Sequence, residues 1–281
     1  MRIEQDLDLY KYSTMRTRSK CATMFFPENR TELIELITKL DRNYYLLSAG
    51  SNVIFSEYII KPIINLMSVD ESMSLDDGVF TCGCSVRIQR FIQFAKDKGY
   101  GGIEFLYSLP ASIGGIVYMN AGRGGGQRQS ISDFLVEVTY LDCNLNEIRT
   151  EGIDKKGFGH HISPYQTMNC VILSCKIKLK KQSREITNSL IKERLEHCKK
   201  TQDTSKPNCG SVFSKGNKFI FKLFQIFGVK SGSAMFSNKT SDWIINTGGA
   251  TATDIKKLVS KMTKAHKLIG ADSRVELQFF D

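Results

Sequence analysis

Leu106–Gly126 reads LYSLPASIGGIVYMNAGRGGG, and no other window of the chain gathers so many conformationally special residues around so little side-chain bulk. Gly114, Gly115, Gly122, Gly124, Gly125 and Gly126 let the backbone take a positive φ or approach a ligand closely, while Ser112, Asn120 and uncovered N–H groups supply hydrogen bonds. Two readings follow from this window alone. It is a cradle for a pyrophosphate, or it is a pair of glycine turns between buried segments. A dinucleotide-binding helix of the G-x-G-x-x-G kind is disfavoured, because no such spacing follows a strand here.

Working outward, a second loop bears on the choice. Tyr44–Leu47 reads as a short buried strand that runs into Ser48-Ala49-Gly50-Ser51-Asn52, with the apolar run Val53-Ile54-Phe55 behind it. A strand ending in Gly-Ser-Asn offers backbone donors and a hydroxyl, although the same residues also make an ordinary hairpin turn. Taken together, the two loops favour a nucleotide held between small subdomains.

The flanking segments alternate strand and helix. Residues 14–27 suit a strand ending at Pro27, and Thr31 is placed to cap a helix carrying Leu33, Leu36, Ile37 and Leu40. Ser85 is placed to cap a helix presenting Ile88, Phe91, Ile92 and Ala95, which Gly99 ends. Phe134–Leu141 alternates as a strand, as does Val171–Leu179, where Val171, Leu173, Cys175, Ile177 and Leu179 share one predicted face. After Lys180 come a basic helix (185–200), the stretch Asn208–Phe213, a helix ending at Gly228, a strand Trp243–Asn246, a helix from Thr253 or Asp254 to Gly270, and a closing strand Arg274–Phe280. The pattern is α+β. We expect three parts: residues 1–67 with 274–281, residues 68–181, and residues 182–273.

Composition narrows the function. The 281 residues are 41% hydrophobic and 24% charged, ordinary for a globular protein. No apolar run reaches the roughly 18 residues that span a bilayer, and the opening MRIEQDLDLYKY lacks the apolar core of a signal peptide. A cytosolic protein is expected. The eight cysteines are scattered apart from Cys82-Gly-Cys84, and the four histidines lack metal-site spacing, so buried reduced thiols and no metal are expected. Between Lys176 and Lys230 stand fourteen Lys or Arg and four acids, which matches the net +10 of the whole chain. That segment should attract an anion, either nucleic acid or a phosphate-bearing small molecule. No zinc-finger or aromatic-basic RNA pattern accompanies it, which argues against nucleic acid.

Six blocks in order then carry a resemblance. Gly50-Ser51-Asn52 after a strand, GIEFLYSLPASIGGIVYMNAG, the segment Phe158-Gly159-His160-His161-Ile162-Ser163-Pro164-Tyr165, Gly210-Ser211-Val212-Phe213, KTSDWIINTGGATATDI and the terminal Val275-Glu276-Leu277 together resemble the bacterial UDP-N-acetylenolpyruvoylglucosamine reductases. The likeness runs from about Thr14 to Phe280, and it is to the shorter class of that family. It implies a two-subdomain FAD-binding fold of the vanillyl-alcohol-oxidase type with a C-terminal α+β substrate domain. It further implies hydride transfer from NADPH through FAD to the enolpyruvyl ether of a UDP-sugar, yielding UDP-N-acetylmuramate for peptidoglycan synthesis. By the same likeness, Gly50, Ser51, Asn52, Val53, Pro110, Ala111, Ser112, Ile113, Gly114, Asn120 and Gly122 would hold FAD. Ser211 would donate a proton and Glu276 would handle charge and protons.

The family pattern places an enolate-stabilising Arg where this chain has His161. Arg is permanently cationic and forked, whereas an ordinary His is charged only below about pH 6.5. Arg18-Ser19 replaces an expected Gly-Gly, Ser214-Lys215-Gly216 an expected Lys-Asn-Pro, and Gln278 an expected Arg, while Lys230–Ala234 is shortened. These departures keep a second reading open: a divergent flavin-binding paralogue that acts on another sugar nucleotide or is catalytically impaired.

Overall fold

The computed structural model describes residues 1–123 and 128–281, so Gly124, Gly125 and Gly126 of the opening stretch lie outside the described residues. The chain forms two compact units. The first comprises Met1–Ile3, Phe25–Ala49 and Ile64–Glu196, and the second comprises Glu4–Met24, Gly50–Ile63 and His197–Asp281.

The first unit is built on a five-stranded antiparallel sheet in the order Glu147–Gly152, Leu135–Asp142, Cys170–Lys178, Val79–Gly83, Met73–Asp76. Helices Ile88–Asp97 and Ile113–Tyr118 bury Ile88, Phe91, Ile92, Ile113, Ile116 and Val117 in one core with Phe80, Val138 and Ile177. Phe80 anchors that core, with its ring edge-on to Phe91, Phe94 and Tyr100 at 5.3–6.0 Å. A separate core lies under helix Arg30–Leu40, whose Leu33, Leu36 and Ile37 pack with Leu141, Val171 and Leu173.

That second core corrects the single face expected for Val171–Leu179. The pairing of Leu135–Asp142 with Cys170–Lys178 slips between Thr139 and Tyr140, where the partner jumps from Ser174 to Ile172. An unpaired residue reverses the in-out alternation. Val171 and Leu173 therefore join the core under Arg30–Leu40, whereas Cys175 and Ile177 join the other. Two caps also differ from expectation. Asn29, not Thr31, starts the first helix by accepting the Glu32 N–H at 2.9 Å. Ser85 lies short of the helix that begins at Ile88, and its hydroxyl instead ties the Leu66 carbonyl to the Asp70 N–H.

The second unit carries a four-stranded antiparallel sheet in the order Asn208–Ser211, Trp243–Asn246, Ala234–Phe236, Lys230–Ser231. Helices Lys218–Phe227 and Ala252–Leu268 close over it with Ile220, Ile255, Leu258 and Met262 in the core. Gly228 ends the first of these helices in the left-handed conformation, and Thr251 opens the second through a capping box with Asp254. Ala252 therefore begins that helix one residue before the earlier of the two expected starts. The closing strand is two strands, not one. Arg274–Val275 pairs with Phe213–Lys215, and Gln278–Phe280 runs parallel to Val53–Phe55, with Glu276 and Leu277 at the change of partner.

Candidate active site

In the first unit the glycine-rich block is pinned at both ends. Ser112 caps the helix Ile113–Tyr118, and its hydroxyl lies 2.5 Å from the Ser48 hydroxyl. The amides of Ala111, Ile113 and Gly114 bond to the carbonyls of Leu109, Val86 and Cys84. Gly114 is a glycine for packing, since a Cβ there would come within 3.0 Å of the Cys84 Cβ. Gly115 differs, because its added Cβ would meet Ser48 Oγ at an ordinary 3.5 Å. The three amides and the Ser112 hydroxyl are thus engaged within the protein, with Ser112 buried and Ser48 half-buried. Pro110 is exposed at the start of this block, and Ala111 is buried.

Asn120 and Gly122 have structural duties of their own. Asn120, itself in the left-handed region at φ 42°, donates its side-chain amide to the Gly159 carbonyl at 2.7 Å and accepts the Ser132 N–H at 3.2 Å. Gly159 and Ile162 exchange backbone hydrogen bonds, so His160 and His161 form the tip of a tight turn. His161 sits there at φ 55°, its ring edge-on to His160 at 4.3 Å, and its carbonyl accepts from Gln166 Nε2 at 3.1 Å. Ser163 and Gln166 both donate to the Tyr118 carbonyl. The histidine turn is thus bolted to the glycine-rich block at Tyr118 and Asn120. Gly122 pairs with Ser130, and a Cβ on it would strike the Gln129 carbonyl at 2.3 Å.

In the second unit Gly50 takes φ 68°, and a Cβ there would lie 1.9 Å from the Tyr12 carbonyl oxygen. Only glycine fits. Thr14 N–H donates to the Gly50 carbonyl, and Thr14 Oγ1 to the Ser51 carbonyl at 3.4 Å. Ser13 Oγ holds the Val53 carbonyl at 2.6 Å. Asn52 donates its side-chain amide to the Glu276 carbonyl at 2.9 Å, and its own carbonyl accepts the Gln278 N–H.

The same unit brings Ser211 and Glu276 to one place. Ser211 is exposed at the end of its strand opposite Trp243, and the next residue, Val212, accepts the Glu276 N–H at 2.8 Å. Asp242 accepts the Val212 N–H with its backbone carbonyl, and the Phe213 N–H with both carboxyl oxygens at 3.2 Å. Sequence reasoning missed Asp242, whose one signal is an acid directly before Trp243, and Ser48, which hides among common turn residues. Asn246 is also explained. It donates to the Met15 and Arg16 carbonyls and accepts from Gly248 and Ala250, pinning the N-terminal segment into this unit. Arg18 packs its guanidinium against Gly249, where a Cβ would approach it to 2.9 Å.

Among the described residues no cluster of His, Cys, Asp and Glu could hold a metal ion, and no helix is long and apolar enough to cross a membrane. Residues 22–150 match the model of an FAD binding domain, and residues 202–278 match that of the UDP-N-acetylenolpyruvoylglucosamine reductase C-terminal domain. The UDP-N-acetylenolpyruvoylglucosamine reductase of Caldicellulosiruptor bescii is 30% identical, covering 98% of this chain and 90% of that protein.

The chain belongs to the UDP-N-acetylenolpyruvoylglucosamine reductase family.

The reductase of Fusobacterium nucleatum is 27% identical, with 94% of each chain covered. The crystal structure of the Thermus caldophilus reductase has the same fold, at 23% identity, a TM-score of 0.79 and full coverage of both chains. The α+β, FAD-binding fold expected from the sequence is the one found, and the chain is a flavin oxidoreductase of this reductase type.

Proposed function

We propose that this chain reduces the enolpyruvyl ether of UDP-N-acetylglucosamine-enolpyruvate to UDP-N-acetylmuramate, with NADPH as reductant and FAD as the bound cofactor. Bound FAD supplies the hydride relay between NADPH and the terminal vinyl carbon. The chain's own residues manage the charge and the proton. Hydride addition leaves enolate character beside the substrate carboxylate, and the adjacent carbon then takes a proton. Ser211 holds that proton at Oγ, and Glu276 handles the charge and resupplies the proton. The observation that carries this assignment is the hydrogen bond from the Glu276 N–H to Val212, which fixes the carboxylate's strand beside the serine's turn.

Gly50, Ser51, Asn52 and Val53 on one side of the sequence, and Pro110 to Gly114 with Asn120 and Gly122 on the other, are assigned to FAD. Beside them, the half-buried Ser48 hydroxyl is a further group suited to its pyrophosphate. His161 is assigned the enolate-stabilising position, and the three-part division at residues 67, 181 and 273 is proposed as part of the same reading. All eight cysteines are free thiols, which supports a reducing, cytoplasmic setting. The substrate is a small UDP-sugar, with no nucleic acid partner.

Purified protein reconstituted with FAD should turn over NADPH catalytically only when the enolpyruvyl sugar nucleotide is present, and Ser211→Ala should abolish product while leaving the single-turnover reduction of flavin by NADPH intact. A second reading, an impaired or redirected paralogue, is favoured by His161, whose left-handed turn is a strained place for the family's arginine. If His161→Arg gains activity instead of losing it, that second reading is the correct one.

A further inference from the structure

Asp242 takes no part in the roles assigned above, yet it is 7% exposed and wrapped around the serine turn. It adopts φ 67°, a conformation that Asp, Asn and Gly tolerate better than other residues. Its backbone carbonyl takes the Val212 N–H at 3.0 Å, and its two carboxyl oxygens share the Phe213 N–H at 3.2 Å each. On the other edge of the same turn, the Val212 carbonyl takes the Glu276 N–H at 2.8 Å. A single peptide segment, Ser211-Val212-Phe213, is therefore gripped between two acidic residues.

The contrast with Asp203, another buried acid of this unit, is informative. Asp203 accepts from the Ser205 N–H, the Ser205 hydroxyl and the Ser237 hydroxyl, a set that stabilises an anion. Asp242 has one shared amide for its carboxyl instead. Burial first, and then the charge of Glu276, push its carboxyl up to about 8, against the pull of the Phe213 and Val212 amides.

We propose that Asp242 is a positioning residue for the proton-transfer step: its backbone carbonyl and its carboxyl pin the Ser211 turn through the Val212 and Phe213 amides, and so set where the Ser211 hydroxyl stands for its proton transfer. This rests on the roles given to Ser211 and Glu276 above. When Asp242 loses its proton, a negative charge appears beside the serine turn, where enolate charge has to develop, and the reaction slows. A single ionisation near 8 makes the rate fall about tenfold between pH 7 and pH 9.

The test uses the full, FAD-loaded chain with two readouts. Carboxyl carbon NMR, with the Asp242 signal assigned by its loss in Asp242→Asn, should show a titration midpoint well above the ordinary aspartate range, and Glu276→Gln should lower that midpoint. In steady-state kinetics, Asp242→Asn should lose the alkaline fall in kcat with KM for the sugar nucleotide little changed, and Asp242→Gly, equally comfortable in a left-handed backbone, should lose it too. A merely structural role would lower kcat by one factor at every pH, and that result would overturn the proposal. An Asp242 midpoint that stays put in Glu276→Gln would overturn the influence of Glu276 on Asp242. Full activity of Glu276→Gln would instead overturn the role of Glu276, whatever Asp242 does.

Discussion

Asn52 donates its side-chain amide to the Glu276 carbonyl at 2.9 Å, tying the Gly-Ser-Asn loop to the point where the closing strand changes partner. A loop assigned to the cofactor thereby also sets the position of the acid assigned to the reaction. Asn52→Ala removes one partly buried hydrogen bond, a loss of about 1 kcal/mol in stability. We expect a roughly tenfold lower kcat, with the circular dichroism spectrum unchanged. Loss of stability with kcat preserved would show that Asn52 is only a structural tie.

Glycine is required at Gly50 and optional at Gly115. Gly50→Ala drives a Cβ into the Tyr12 carbonyl from a left-handed backbone, a cost of about 2 kcal/mol or more. Gly115→Ala meets ordinary contacts in a helical position and should stabilise by about 0.5–1 kcal/mol. Thermal melts of the two variants should move in opposite directions, and a matching fall in both would contradict this account of the glycines.

Asn120 holds the histidine turn from a buried position, 2% exposed. Asn120→Ala leaves the buried Ser132 N–H without its side-chain acceptor, which costs about 1–3 kcal/mol, and releases the Gly159 carbonyl. If His161 acts on the substrate, this variant should lose kcat in step with His161→Ala, and the double variant should lose little more than either single one. Additive losses would show that the two residues act separately.

The buried Asp242 also makes stability depend on pH. Its folded-state carboxyl is raised to about 8, above its unfolded value, so the folded protein holds the proton more tightly. That contribution is fully present below the ordinary aspartate range and is lost as pH rises through about 8. Denaturant melts at pH 6 and pH 9 should show lower stability at the higher pH, and Asp242→Asn should flatten that difference. An equal slope in wild type and variant would rule Asp242 out as its source.

Much of the fold was legible in the residues. The strand Trp243–Asn246 and the helix ended by Gly228 follow directly from periodicity and a glycine stop. What periodicity could not show was the slip opposite Thr139 and Tyr140, because a bulge is decided by pairing with a neighbouring strand. The break at Glu276 was hidden for the same reason: each half of Arg274–Phe280 finds a different partner. At the site, motif order singled out Ser211 and Glu276, but Asp242 was silent. An acid before a tryptophan acquires meaning only once the fold buries it against the serine turn.

The most direct test is the oxidation of NADPH by the FAD-loaded protein, followed at 340 nm with and without UDP-N-acetylglucosamine-enolpyruvate. The account predicts turnover that depends on the sugar nucleotide, yields UDP-N-acetylmuramate and disappears in Ser211→Ala. NADPH oxidation that proceeds at the same rate without the sugar nucleotide, or no product from a fully flavin-loaded enzyme, would contradict it.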